Sequence, residues 1–165
     1  MTKKTFNIAV VGGQGTGKST WINRNATGGF TRKYTPTVGV VSSTIVMHTN
    51  YGPIEFIIHD TPGQMVFASN LSGDNMDGSI VFASEQTGKM TTEDWLTMVS
   101  SNMPNKPIVV VQNKIDVKHP QHPVKMEQIL PIVNKYKVPF YLISSRSNYQ
   151  LEHPLIDLAR KLTNK

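Results

Sequence analysis

Gly12-Gly13-Gln14-Gly15-Thr16-Gly17-Lys18-Ser19 follows a short β-branched run at residues 8–11 and opens a helix-like stretch at residues 18–25. The spacing is G-x-x-x-x-G-K-[ST], and a strand before it with a helix after it is the context that gives this spacing its chemistry. Glycines let the backbone N–H groups come close to phosphate oxygens, and the helix N-terminus adds a partial positive charge. Lys18 is placed to reach β- and γ-phosphates, and Ser19 to offer its hydroxyl to Mg²⁺. Gly13, Gln14, Gly15, Thr16, Gly17 and Thr20 complete the expected phosphate-binding set. The competing reading is a glycine-rich turn that binds nothing, and the flanking strand and helix argue against it.

The same alternation runs along the whole chain. Residues 54–58, 79–83, 108–111 and 140–143 are further continuous apolar runs, the pattern of a parallel sheet buried on both faces. Between them, residues 91–101, 123–136 and 153–162 read as helices. Residues 38–49 alternate instead and end at Asn50-Tyr51-Gly52-Pro53, a turn signal that predicts a hairpin adding one antiparallel strand. The expected fold is α/β: a six-stranded, mostly parallel, doubly wound sheet with helices on both faces, in one domain over residues 1–165.

Two more stretches sit at the carboxyl ends of these runs. Asn113-Lys114-Ile115-Asp116 follows residues 108–111, where a carboxylate can accept from both N1–H and the 2-amino group of guanine. Adenine would leave that carboxylate unpaired, a penalty of about 1–3 kcal/mol. Lys114 would lay its stem along the base. By itself N-K-x-D is also an ordinary strand-end turn; beside the phosphate loop it predicts guanine. Asp60-Thr61-Pro62-Gly63-Gln64 follows residues 54–58. Asp60 is placed to hold Mg²⁺ through a water, the Gly63 N–H to sense a γ-phosphate and Gln64 to orient an attacking water. Thr37 is the candidate second hydroxyl ligand for the metal.

With these stretches in place the chain resembles the Ras-superfamily GTPases, which carry a P-loop G domain, and within them the Ran branch. Met47-His48-Thr49-Asn50-Tyr51-Gly52-Pro53-Ile54-Glu55-Phe56 is very similar to the hairpin of that branch. Thr27-Gly28-Gly29-Phe30, Lys33-Tyr34, Ser147-Asn148-Tyr149-Gln150 and Leu158-Ala159-Arg160-Lys161-Leu162 extend the similarity, which is weakest over residues 65–101. The resemblance implies that Phe30 covers the guanine edge and that Tyr34 lies near the nucleotide and the catalytic Gln64. It also implies that the backbone of Ser144-Ser145-Arg146 approaches the guanine O6, although Ser145 and Arg146 depart from the family's S-A-K. By the same resemblance the ligands are GTP or GDP with Mg²⁺. The partners are importin-type transport receptors, a Ran-type exchange factor and a Ran-type activating protein, in nucleus and cytoplasm.

Departures from that branch open a second reading. Gln14 stands where a glycine is usual, beside the γ-phosphate position. Pro62 replaces the usual alanine, removing an N–H and fixing φ near −65°. Met65 replaces an acidic residue, and the acidic tail of the branch has no counterpart before Lys165. Intact chemical residues with altered surroundings favour a slow GTPase. The alternative is a nucleotide-locked mimic that occupies transport receptors without cycling.

Composition bounds the rest. The chain has 38% hydrophobic and 17% charged residues and no cysteine, so disulfides, thiolate metal sites and a prenylated cysteine are excluded from it. No apolar run approaches the length of a membrane span and no signal peptide is apparent, so a monomer inside the cell without a membrane anchor is expected. The net charge of +6 suggests an acidic partner, yet no aromatic-basic motif for nucleic acid appears. His119-Pro120-Gln121-His122-Pro123 lacks the helical face and carboxylates that a metal site needs.

Replacing Asp116 by Asn exchanges an acceptor for a donor toward the base. Asp116→Asn should therefore weaken guanine nucleotides and strengthen xanthine nucleotides in a competition titration. Unchanged preference would remove Asp116 from the base site.

Overall fold

Uninterrupted apolar runs can be satisfied only in strands covered on both sides, and the chain folds accordingly. A computed structural model describes residues 4–12, 21, 32–35, 40–50, 52–60, 76–83, 92–112, 126–143 and 153–163. Its strands are β1 (Lys4–Val11), β2 (Arg32–Thr35), β3 (Val40–Thr49), β4 (Gly52–Asp60), β5 (Gly78–Phe82), β6 (Ile108–Gln112) and β7 (Phe140–Leu142). Its helices among the described residues are α1 (Thr92–Asn102), α2 (Met126–Tyr136) and α3 (His153–Thr163). Trp21 is also helical, within the stretch expected to be the first helix.

The strands form one sheet in the order β2-β3-β4-β1-β5-β6-β7. β1 pairs in parallel with β4 and β5, and β5–β6 and β6–β7 continue in parallel. β3 is antiparallel to β4, as the turn signal implied, and β2 is antiparallel to β3. The six expected strands are present. The seventh, β2, is a four-residue edge strand, Arg32-Lys33-Tyr34-Thr35, whose polar sequence carries no strand signal.

Alternate residues of the central strands feed two cores. Ile8 and Val10 of β1, Ile80 and Phe82 of β5, and Val109 and Val111 of β6 pack on one face with Trp21 and with Leu155, Leu158 and Ala159 of α3. Ala9, Val11, Val81, Ala83 and Val110 pack on the other with Trp95, Leu96 and Val99 of α1 and Ile129 and Val133 of α2. Helices thus lie on both faces, and Trp95 is a core residue at 3% exposure. Each fully buried aliphatic or aromatic side chain contributes about 1.5–3 kcal/mol; Ser79 of β5 is buried with them. In β4 the pattern is one-sided: Ile54, Phe56 and Ile58 are buried, while Glu55, Ile57 and His59 are half-buried.

The β3–β4 turn is closed by Thr49 paired with Gly52, and the Thr49 hydroxyl donates to the Gly52 carbonyl at 2.6 Å. Gly52 has φ of 112°, a conformation L side chains rarely adopt, so the turn needs glycine there. α1 and α2 are joined by Thr97 Oγ1 and Tyr136 OH at 2.7 Å and by an exposed Lys135–Glu93 ion pair at 2.8 Å that contributes little.

β7 is tied to α3 by a more protected contact. The Tyr141 hydroxyl donates to Asp157 Oδ2 at 2.5 Å, while Lys161 Nζ lies 2.9 Å from Asp157 Oδ1 without hydrogen-bond alignment. Burial first, then the bond to Asp157, push the Tyr141 phenol up to about 12 from 10.0. In that window the folded chain keeps a proton that the unfolded chain releases, so this stabilisation is complete below pH 10.0 and is lost as pH rises through about 12. The urea midpoint of the wild type should therefore fall across that window more steeply than that of Tyr141→Phe. Parallel curves would contradict the Tyr141–Asp157 assignment.

Candidate functional site

Strand register brings three of the expected elements into one line. Tyr34 of β2 pairs with Val41 of β3, Val41 with Asp60 of β4, and Asp60 with Val10 of β1. At about 4.8 Å per strand, this row spans roughly 14 Å from the backbone of Tyr34 to that of Val10. Asp60 is the last residue of β4, one position short of the end of β1. The strand that ends in Asp60, the residue expected to hold Mg²⁺, and the strand leading to the phosphate-loop sequence therefore end side by side.

β1 leaves the sheet through Gly12, and the geometry there admits no other residue. Its φ is 146°, and a Cβ would lie 2.9 Å from both Cβ and the carbonyl oxygen of Phe82. The backbone passes directly against the end of β5 before the loop begins. Trp21, on the far side of the loop in sequence, is fully buried and packs edge-on against the same Phe82, with ring centroids 5.7 Å apart at 69°.

The other half of the site is carried by β6 and β7. Gln112, the last residue of β6, pairs with Leu142 of β7, and the Ile143 N–H donates to the Gln112 carbonyl at 2.9 Å. Asn113 and Ser144 are the next residues after Gln112 and Ile143, so both stretches expected to read the base start from neighbouring strand ends. β1, flanked by β4 on one side and β5 on the other, is where the strand order turns. Open α/β sheets bind ligands outside the carboxyl ends of their strands at such a turning point.

Polar contacts brace the β4 end. His59, next to Asp60, holds its Nε2 at 3.0 Å from Asn7 Oδ1, which requires the hydrogen on Nε2. The Asn7 N–H donates to Asp77 Oδ2 at 2.7 Å, and the Asp77 N–H returns to the Asn7 carbonyl at 2.7 Å. Burial holds the His59 imidazole below its ordinary range, so it is neutral near pH 7.

Of the site residues read from sequence, the backbones of Tyr34 and Asp60 are described. Gly13, Gln14, Gly15, Thr16, Gly17, Lys18, Ser19, Thr20, Phe30, Thr37, Gly63, Gln64, Asn113, Lys114, Asp116, Ser144, Ser145 and Arg146 lie outside the described residues, as do Pro62, Met65, His119 and His122. Sequence reasoning passed over Phe82, Trp21, Asn7 and His59. The first two look like ordinary core residues, and His59 and Asn7 meet only through strand pairing, 52 positions apart. Among the described residues no group of His, Asp or Glu could hold a metal, and no helix is long and apolar enough to cross a membrane.

A mostly parallel sheet with helices on both faces, and G-x-x-x-x-G-K-S in the sequence directly after β1, are the features of a P-loop-type α/β protein. The Ras family model matches residues 7–164, and the chain belongs to the Ras family, the small GTPases that bind guanine nucleotides.

Gly12→Ala combines a disfavoured φ with a clash against backbone. It should lower stability by about 1–3 kcal/mol in denaturant titration. A wild-type midpoint would show that the chain leaves β1 by another path.

Proposed function

We propose that this Ras-family protein is a Ran-like switch that binds GTP and GDP with Mg²⁺, hydrolyses GTP slowly, and changes partner affinity in nucleocytoplasmic transport. The observation that carries the nucleotide part is the convergence of the ends of β1 and β4, with Gly12 wedged against Phe82. A backbone that must leave β1 without a Cβ suits a loop wrapped around phosphates. Ser19, Thr37 and, through a water, Asp60 would hold Mg²⁺, which when bound neutralises charge on the β- and γ-phosphates. These donors are hard oxygens, as Mg²⁺ requires.

In this reading Gly13, Gln14, Gly15, Thr16, Gly17 and Thr20 bind the phosphates, and Lys18 places its ammonium against the β- and γ-oxygens. Gln64 orients the attacking water while the Gly63 N–H meets the γ-phosphate. Tyr34, whose backbone lies on the same sheet row as that of Asp60, would lie near the nucleotide and Gln64. Asp116 selects guanine, Asn113 and Lys114 support the base, Phe30 covers its edge, and the Ser144-Ser145-Arg146 backbone reaches O6.

The transport role rests on the similarity of the β3–β4 hairpin and the α3 sequence to the Ran branch. Importin-type receptors, a Ran-type exchange factor and a Ran-type activating protein are the partners it implies, in nucleus and cytoplasm. Met65, which cannot pair with Lys18 once nucleotide leaves, favours slow exchange and keeps the locked mimic as the second reading.

Gln14 crowds the γ-phosphate and Pro62 stiffens the segment that carries Gln64. Single-turnover GTP hydrolysis should be slow, and Gln14→Gly should raise the rate stimulated by a Ran-type activating protein about tenfold, some 1.4 kcal/mol of barrier. No turnover from either protein, with tight GTP binding, would favour the locked mimic.

A further inference from the structure

We infer that Phe82 is a positioning residue for the nucleotide, because it touches both flanks of the phosphate loop and sets how long the bound nucleotide stays. The inference rests on the nucleotide reading above. Phe82 closes β5, is fully buried, and does two things that no packing requirement demands together. Its Cβ and carbonyl oxygen form the wall, 2.9 Å from where a Cβ would stand, that Gly12 passes on leaving β1. Its ring meets the Trp21 indole edge-on at 5.7 Å, and Trp21 is in helical conformation two positions after Ser19. Gly12 and Trp21 are thus both braced against one residue of β5, with residues 13–20 between them in sequence.

The brace is anchored independently of the loop. Phe82 pairs with Val111 of β6, and the next residue, Ala83, donates its N–H to the Val111 carbonyl at 2.7 Å. Val81, the preceding residue, pairs with Val11. Phe82 therefore cannot shift without disturbing two strand pairings. A ring held this firmly fixes the separation of the loop's flanks before any ligand arrives, so less ordering cost falls on the binding step. An aliphatic residue would fill much of the same volume but would lose the edge-to-face contact with Trp21. The expected phenotype is a fold that persists with a nucleotide that leaves sooner.

An aromatic pair of this geometry corresponds to a change of about two- to tenfold in a rate or equilibrium. The experiment compares dissociation of a fluorescent GDP, with Mg²⁺, from wild type, Phe82→Leu, Trp21→Leu, the double variant and Phe56→Leu. Phe56 is equally buried in the same core and packs on Phe6, with centroids 6.4 Å apart, so its variant reports general core loosening. Phe82→Leu and Trp21→Leu should each speed release about two- to tenfold. The double variant should be no faster than either single one, since both remove the same contact, and Phe56→Leu should release at the wild-type rate.

The chain's two tryptophans allow a second readout. In a Trp95→Phe background, Trp21 emission should change on GDP binding, and Phe82→Leu should abolish that change. Wild-type release from Phe82→Leu, or equal acceleration in Phe56→Leu, would overturn the positioning role. Failure of the wild type to bind guanine nucleotide would overturn the nucleotide reading beneath it.

Discussion

β1 is paired along both edges and, from Ile8 to Val11, buried on both faces, and the rest of the structure depends on that double confinement. A strand held this way can neither slip in register nor carry a polar side chain without exposing or stranding its neighbours. Its carboxyl end is consequently a fixed point. Asp60 reaches that point through β4, Phe82 through β5, and Gly12 must turn away exactly where Phe82 leaves no room for a side chain. The chemistry expected of the chain is thus attached to the end of its most confined strand.

What the sequence made legible follows from the same confinement. Two-sided burial writes itself as nearly unbroken apolar runs, so β1, β5 and β6 could be placed within a few residues. β7, an edge strand with half-buried side chains, was still marked by its short apolar run, and the Asn50-Tyr51-Gly52-Pro53 turn announced the β3–β4 hairpin. β1 extends back to Lys4, beyond its apolar run, because Lys4 and Thr5 sit at an exposed end that still pairs with Ile54 and Glu55. β2 was not legible: Arg32, Lys33 and Thr35 give no hydrophobic period, and edge strands are commonly polar or charged to discourage further pairing. The phosphate loop was legible because phosphate recognition uses backbone and therefore demands glycine at set intervals. Phe82 and Trp21 were not, since their significance lies in a contact between two apolar residues that any core might contain. The His59–Asn7–Asp77 contacts depend wholly on the parallel register of three chain segments.

Membership of the Ras family and the geometry of the strand ends bear on different levels of the account. The family gives guanine-nucleotide binding and GTP hydrolysis in general; the residues of this chain decide how well each is done. A nucleotide switch works by differential affinity, so only groups that meet the γ-phosphate, or move with it, distinguish the two states. Gln14, Pro62 and Met65 all fall in the stretches where that difference would be made. The stretches expected to read the base, by contrast, follow β6 and β7 in sequence, where neighbouring strands hold one another in place. Selection of guanine should therefore depend little on the residues at positions 14, 62 and 65.

The central claim, that these strand ends form a guanine-nucleotide site, is tested most directly by titrating nucleotide-free protein with GDP and ADP in the presence of Mg²⁺. The account predicts that GDP binds at least about tenfold more tightly than ADP, the discrimination that one unpaired buried carboxylate imposes. Equal affinity for the two nucleotides, or no binding of either, would contradict it.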